Sequence, residues 1–401
     1  MRLSCLLAPG LTVAGDAQGV EITGLTADSR TIRSGMLFAA LPGSRADGRA
    51  FIAEALQRGA VAVLADPSLA GTELGVPLIL DADPRRQLAL IAARFHGRQP
   101  RRIAAVTGTS GKTSVASFTR ALWEHLGLRA ASLGTLGLIA PGARSSTGLT
   151  TPDPVRLHAL LAELATDGID HLVMEASSHG LDQRRLDGVH LVAAAFTNLS
   201  RDHFDYHGSF EGYLAAKRRL FNELLPPEGT AVLNADRPEF ETLAAVCRDR
   251  GIAVLDFGMR AERLRLLERR SHAAGQVLEI ALDGRHHVIE SRLVGPFQAE
   301  NLLAALGLVI GSGADPEAAA GLLDRLEGAP GRMQRIGNHP SGAPVFVDYA
   351  HKPDALAQVL DALRPHTDNR LLVVFGCGGD RDPGKRPVMG EIGRASCRER
   401  V

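Results

Sequence analysis

The stretch "AAVTGTSGKTSVASF", residues 104–118, sets two glycines, a lysine and hydroxyl residues directly behind a short apolar run. Those residue types suit one chemistry. Backbone N–H groups of a tight turn and one point charge cradle a phosphate, and a hydroxyl meets its metal ion. The spacing is a near miss of the usual loop, G-x-x-x-x-G-K-[ST]. Gly111-Lys112-Thr113 satisfies its end, but Val106 holds the leading position and the first glycine comes late, at Gly108. Lys112 is expected on the β/γ-phosphates and Thr113 on Mg²⁺.

Other chemically able residues fall into clusters further on. In "MEASSHGLDQRRL", Glu175 closes an apolar run, where a carboxylate can hold a metal beside phosphates. Ser177 and Ser178 suit a helix N-cap equally well. "FTNLSRDHFDYHG" puts Asn198, Asp202, His203, Asp205 and His207 in one loop. Hard oxygens plus imidazole fit Mg²⁺, ribose or phosphate, and the absence of a nearby cysteine argues against zinc. Lys217, followed by Arg218 and Arg219, reads by itself as a solvated basic helix face. "VDYAHKPDAL" places Asp348 and His351 at a strand end, and Cys377, with no base paired to it, reads as a small packed residue.

Elements must deliver these groups to one place. "RRQLALIAARFHGRQP" predicts a helix stopped at Gly97 with Pro100 beyond, which marks a domain boundary. From "RRIAAVTG" onward, apolar strands alternate with helices: "IAAVTG", "GIDHLVMEAS", "VHLVAAAFTNLS" and "GTAVLNAD". That alternation predicts a parallel sheet covered by helices, with ligands at the carboxyl ends of its strands. After a Gly/Pro-rich joint near residue 330, "APVFVDYAH", a helix and "RLLVVFGCGGDRD" restart a strand-helix-strand unit.

Length and charge bound the rest. The chain has 401 residues, too many for a usual single domain, with Lys plus Arg and Asp plus Glu balanced at 45 each. Bulk charge therefore gives no attraction to nucleic acid or membrane. Cys5, Cys247, Cys377 and Cys397 form no C-x-x-C pair, which fits a reducing compartment. The opening "MRLSCLLAPG" breaks too early for an export signal, and no apolar run approaches the ~18 residues of a membrane span, so a cytoplasmic protein is expected.

In order, "GTSGKTS", "MEASSHGL", "FTNLSRDHFDYHG", "YLAAKRRLF", "GRMQ", "DYAHKPDAL" and "FGCGGDRDPGKRPVMG" resemble the Mur ligase family, from about "TADSR" to Gly390. They are most similar to the branch that adds the third amino acid to the peptidoglycan precursor. The resemblance explains the displaced glycine, because the family's nucleotide loop runs G-T-x-G-K-[ST]. It implies an α/β fold of three domains. These are a UDP-binding domain over 1–98, a P-loop parallel-sheet ATPase domain over 99–330, and a partial Rossmann-like domain over 331–401 that receives the amino acid. It implies ATP and Mg²⁺, small-molecule substrates (a UDP-muramoyl-dipeptide and an amino acid) and a monomer. Gly108, Thr109, Ser110, Gly111, Lys112, Thr113, Ser114, Asn301, Arg332, Asp348 and His351 match nucleotide positions. Ser29 and Ser44-Arg45-Ala46 match uridine-diphosphate positions, and Thr150, Thr151, Ser177, Gln183 and Arg185 match muramoyl-dipeptide positions. Lys112, Glu175, His203 and Lys217 match catalytic positions, and Thr113, Glu175, His203 and Lys217 the metal set. Lys217 matches a lysine that the family carbamylates, which reverses its reading as a solvated face. A neutral amine is needed for that, and Arg218 and Arg219 are expected to favour it.

The family continues past "KRPVMG" with an apolar helix, a strand and a D-N-P-R signature that grips the incoming amino acid. Here "EIGRASCRERV" follows instead, so an incomplete third domain is expected. Three function classes stand at this point. The first is a ligase acting through an acyl phosphate, with a folylpolyglutamate synthetase-like ligase as its rival. The others are a P-loop kinase or NTPase, and a fragment that binds nucleotide without ligating.

Overall fold

The computed structural model describes residues 1–43, 47–367, 370–377 and 384–396. The first unit is a five-stranded sheet of β1 (Thr12–Ala14), β2 (Gly24–Thr26), β3 (Met36–Ala39), β4 (Ala60–Ala65) and β5 (Leu78–Leu80), ordered β1-β5-β4-β3-β2. Only β1 runs antiparallel to its neighbour. The inner strands β3, β4 and β5 are apolar on both faces because both are covered. Leu37, Ala39, Ala62, Leu64 and Ile79 face one core, and Phe38, Ala40, Val63, Ala65 and Leu78 face the other. The helix Pro84–His96 closes the unit; Asp83 caps its start and Gly97, at φ 71°, ends it.

The central sheet has eleven strands. They are β6 (Arg102–Thr107), β7 (Ala130–Gly134), β8 (Gly137–Ala140), β9 (Ala143–Ser145), β10 (His171–Glu175), β11 (Leu191–Phe196), β12 (Thr230–Asn234), β13 (Ala253–Gly258), β14 (Leu264–His272), β15 (Gly275–Leu282) and β16 (Arg285–Ser291). Seven of them form the parallel run β14-β13-β12-β11-β6-β10-β7, with β6 flanked by β11 and β10. Alternate residues of β6 serve opposite cores: Ala104 and Val106 pack under the helices Lys112–His125 and Pro296–Gly311, and Ile103 and Ala105 under Pro154–Thr166. The antiparallel meander β14-β15-β16 extends one edge. Charge on both faces of β14 hides its alternation in the sequence, so no strand expectation attaches to it.

Beyond residue 330 the structure departs from the expected strand-helix-strand unit. β17 (Gln334–Asn338) and β18 (Pro344–Val347) pair as an antiparallel hairpin, followed by the helix Pro353–Leu363. Residues 370–377 carry no ladder among the described residues. Leu371 and Val373 lean on Leu356, Leu360 and Met389, while Leu372 and Val374 stand 61% and 93% exposed. An apolar run becomes a strand only when neighbours take up its backbone N–H and C=O groups in a ladder.

Candidate active site

The turn after β6 is fixed by contacts that only glycine permits. Gly108 has φ 149°, and a Cβ there would lie 1.9 Å from Thr197 Oγ1; Gly111 has φ 89°, and its Cβ would lie 2.4 Å from Asn301 Oδ1. The end of β11 pins the turn from the side. Asn198 accepts from Thr109 N at 2.9 Å through its carbonyl and from Ser110 N at 2.9 Å through Oδ1, while Thr197 Oγ1 donates to Ser110 O at 2.7 Å. The helix Lys112–His125 starts at once, so its positive end faces the turn.

Two lysines converge on one carbonyl. Lys112 Nζ donates to Gly108 O at 2.9 Å and to Thr109 O at 3.0 Å, and Lys217 Nζ donates to Gly108 O at 2.7 Å. Lys217 is only 1% exposed, and Tyr213 lies beneath it with Nζ 4.4 Å from the ring centroid. Burial, then the charge of Lys112, pushes the Lys217 amine well below the usual lysine range, and Asp202 opposes them weakly. Burial lowers Lys112 too, with Glu175 opposing. The solvated-face reading of Lys217 is thereby overturned, and so is the expected cause of its neutrality. Arg219 is turned away, its guanidinium on Asp187 at 2.6 and 2.7 Å. Burial and Lys112, rather than the adjacent arginines, disfavour the ammonium form.

Glu175 ends β10 as a buried carboxylate, accepting from Thr135 N at 2.8 Å and from Thr135 Oγ1 at 3.1 Å. His203 adopts φ 55° at the start of a short helix, with Nε2 3.5 Å from Asp202 Oδ2, and burial lowers its pKa. The third unit closes over the same place. Lys352 donates to Asp202, and the Arg332 side chain stacks on Tyr349 and reaches Thr113 Oγ1 at 3.4 Å. Asp348 accepts from Met333 N at 2.8 Å and Ala350 N at 2.7 Å, and His351 folds back on the Tyr349 carbonyl at 3.0 Å.

A cleft of about 740 Å³ lies between the first and central units, lined among others by Thr26, Asp28, Arg85, Asp153, Gln183 and Arg185. Arg185 donates to Thr151 O and to Gln183 Oε1, both at 2.6 Å. Thr151 Oγ1 bonds Glu175 O and Ser177 Oγ, both at 2.9 Å, and Thr150 Oγ1 meets Thr135 Oγ1 at 3.1 Å. Ser177 is the N-cap of the next helix, accepting from Gly180 N at 3.0 Å, as the capping reading expects. From the cleft a chain of touching side chains leads to the turn. Gln183 donates to Tyr206 OH at 3.0 Å, Tyr206 stacks on His179 at 4.2 Å, His179 meets His207 at 5.5 Å and His207 meets Tyr213 at 5.2 Å, whose OH lies 3.2 Å from Thr109 Oγ1 in the turn.

The sequence matches three family descriptions in order: "Mur ligase family, catalytic domain" over 21–96, "Mur ligase middle domain" over 106–309, and "Mur ligase, glutamate ligase domain" over 331–400. A protein of Rhizobium meliloti (strain 1021), named UDP-N-acetylmuramoyl-L-alanyl-D-glutamate–2,6-diaminopimelate ligase, is 53% identical over 94% of this chain and 78% of its own length. The chain belongs to the Mur ligase family. A protein of the same name from Caulobacter vibrioides is 52% identical over 93% of this chain and 78% of its own. A solved structure, also under that name, superposes with a TM-score of 0.78 at 35% identity, covering 94% of this Mur ligase and 77% of that chain. A folylpolyglutamate synthase structure, in complex with AMPPCP and folate, shares the fold, with a TM-score of 0.61 at 17% identity over 78% of this chain and 82% of its own.

Within this Mur ligase, Glu175, His203, Lys217, Asn301 and Arg332 all come near the turn Gly108–Ser114, while Asp348 and His351 make their contacts within the third unit, to Met333, Ala350 and Tyr349. Ser29 stands apart, donating to Glu54 Oε2 at 3.1 Å. Ser44, Arg45 and Ala46 lie outside the described residues. Sequence reading missed Thr135, which holds Glu175, and Tyr213, which underlies Lys217 and meets Thr109 Oγ1 at 3.2 Å. The spacing held a signal for Tyr213, four residues before Lys217 and so on the same helix face. Thr135 lies forty positions before Glu175 and gave none.

Proposed function

We propose that this Mur ligase uses ATP to join the amine of 2,6-diaminopimelate to the D-glutamyl carboxylate of UDP-N-acetylmuramoyl-L-alanyl-D-glutamate. The observation that carries this reading is the continuous run of side chains from Arg185 and Gln183 in the cleft to the Gly108 turn. It joins a long substrate site to a phosphate site. Uridine diphosphate occupies the first-unit end, near Thr26 and Asp28, and the dipeptide reaches Thr151, Ser177, Gln183 and Arg185. Arg185 supplies a planar cation for a carboxylate.

The nucleotide takes the turn 108–114, with Lys112 swinging from its own loop carbonyls onto the β/γ-phosphates. Asn301 and Arg332 flank it, and Asp348 and His351 border it. The substrate carboxylate attacks the γ-phosphorus, ADP leaves, and an acyl phosphate forms. The incoming amine then attacks the acyl carbon, phosphate departs and the amine proton is lost. Holding both reactants against one turn supplies the orientation on which such transfers depend.

Among the described residues no three of His, Cys, Asp and Glu converge as ligands on their own. The donors beside the turn are still hard: the buried Glu175 carboxylate, the Thr113 hydroxyl and the His203 imidazole, which together with a carbamate on Lys217 would hold Mg²⁺. The ion would neutralise phosphoryl charge. The Lys217 amine, lowered by burial and Lys112, can add to carbon dioxide, giving up a proton to become an anionic carbamate. The domain division follows 1–98, 99–330 and 331–401, and the protein works as a cytoplasmic monomer. Among the described residues no helix is long and apolar enough to cross a membrane.

The test is tripeptide formation by the purified chain with ATP, Mg²⁺, the UDP-muramoyl-dipeptide and diaminopimelate, beside lysine and a folate substrate. Product and phosphate should appear together, only with the dipeptide and diaminopimelate. Phosphate release that ignores the dipeptide would turn the reading into a simple NTPase.

A further inference from the structure

The helix Ser178–Asp182 ends in two reciprocal backbone bonds, Arg185 N to Gly180 O at 2.9 Å and Arg184 N to Leu181 O at 3.2 Å. This is a Schellman closure, which places the residue after the cap in the left-handed region and favours glycine there. Here that residue is Arg184, at φ 60°. Glycine adopts this conformation without strain and arginine does not, so what offsets the local cost is the side chain.

That side chain joins two units. Arg184 Nε lies 2.7 Å from Asp83 Oδ2 in the first unit, and NH1 lies 2.6 Å from Glu223 Oε2 in the central one. Asp83 is already fixed, because its other oxygen accepts from Arg86 N at 3.1 Å and caps the helix Pro84–His96. Glu223 is held by Arg219 Nε at 2.8 Å, and Arg219 by the buried Asp187. The same turn presses on the first-unit helix at Gly188, where a Cβ would lie 2.7 Å from Ala93 Cβ. The Gln99 side chain ties it down further, donating to Gly188 O at 2.7 Å and accepting from His190 N at 3.1 Å. The residues on either side of Arg184 face the other way. Gln183 and Arg185 both line the cleft and bond each other there.

We propose that Arg184 is a positioning residue for the muramoyl substrate: through Asp83 and Glu223 it fixes the turn that aims Gln183 and Arg185 into the cleft. The proposal rests on the reading of that cleft as the UDP-muramoyl-dipeptide site. Half-exposed ion pairs are weak as stability devices, so a role in geometry makes better sense of three such groups at a left-handed corner.

Arg184→Gly separates the two roles, since it relaxes the backbone and deletes the ion pairs together. In the full chain, KM for the UDP-muramoyl-dipeptide should rise about tenfold with KM for ATP unchanged, and the melting temperature should hold or increase. Asp83→Asn keeps the helix cap and loses the charge, so it should reproduce part of the KM rise, and the double variant should be no worse than Arg184→Gly. A wild-type KM in Arg184→Gly overturns the proposal. An equal loss for both substrates, or a lower melting temperature, overturns it as well by making the arginine structural. If the wild-type chain forms no tripeptide, the parent reading of the cleft falls and takes this proposal with it. A normal wild type beside an unaffected variant sinks the proposal alone.

Discussion

Gly108→Ala tests the nucleotide turn where its geometry is tightest. The backbone at φ 149° is nearly closed to any residue with a Cβ, a strain of about 1–3 kcal/mol. The new methyl would sit 1.9 Å from Thr197 Oγ1, so that hydroxyl must move and its 2.7 Å bond to Ser110 O is lost, at a further cost of about 1 kcal/mol. Together these amount to about 2–4 kcal/mol, which lowers the melting temperature of a unit this size by about 5–15 °C. The Gly108 carbonyl also accepts from Lys112 and Lys217, so its displacement moves both cations and weakens ADP binding. Thermal unfolding by circular dichroism and ADP titration by calorimetry read the two effects. Adding Thr197→Ala removes the collision but leaves the φ strain, so the double variant should recover only part of the stability. A Gly108→Ala protein that melts within about 1 °C of wild type and binds ADP normally would refute the reasoning.

Lys112→Ala should cut ATP-dependent phosphate release by at least about a hundredfold, since it removes the point charge expected on the β/γ-phosphates; near-normal turnover removes the P-loop assignment. Lys217→Ala should lose activity and regain part of it with added short carboxylates, whereas Lys217→Arg should not be rescued. A mass spectrum of fully active enzyme at saturating bicarbonate that shows only unmodified lysine would sink the carbamate. Stability should also depend on His158, which is 1% exposed and pushed down to about 4 by burial. Between about pH 6.5 and 4 the unfolded chain takes up a proton that the folded chain refuses, so stability falls as pH drops through that window, by about 2 kcal/mol at pH 5. Urea unfolding at pH 7 and pH 5 should show that loss in wild type and a smaller one in His158→Gln; equal losses would mean another group is responsible.

Much of this molecule is local and therefore legible in the sequence. The run from Ile103 to Val106 must be a buried strand, Gly108 and Gly111 must turn, and the helix after Lys112 must begin there, because each follows from neighbours within a few residues. Glu175 at the end of its strand and the cluster from Asn198 to His207 follow from the same periodicity. The family resemblance extended this reading to Lys217, Asn301 and Arg332, whose own surroundings in the sequence point elsewhere. Lys217 among arginines reads as a surface. Only tertiary packing buries it against Tyr213 and Lys112 and so lowers its amine, because desolvation depends on what the whole fold stacks around a group. The pairing of Thr135 with Glu175, the bridge from Lys352 to Asp202 and the tie from Asp83 to Arg184 join residues 40, 150 and about 100 positions apart. No periodicity spans such distances. Residues 370–377 make the same point in reverse: an apolar run sets the propensity for a strand, but the strand itself exists only where another chain segment supplies the hydrogen bonds.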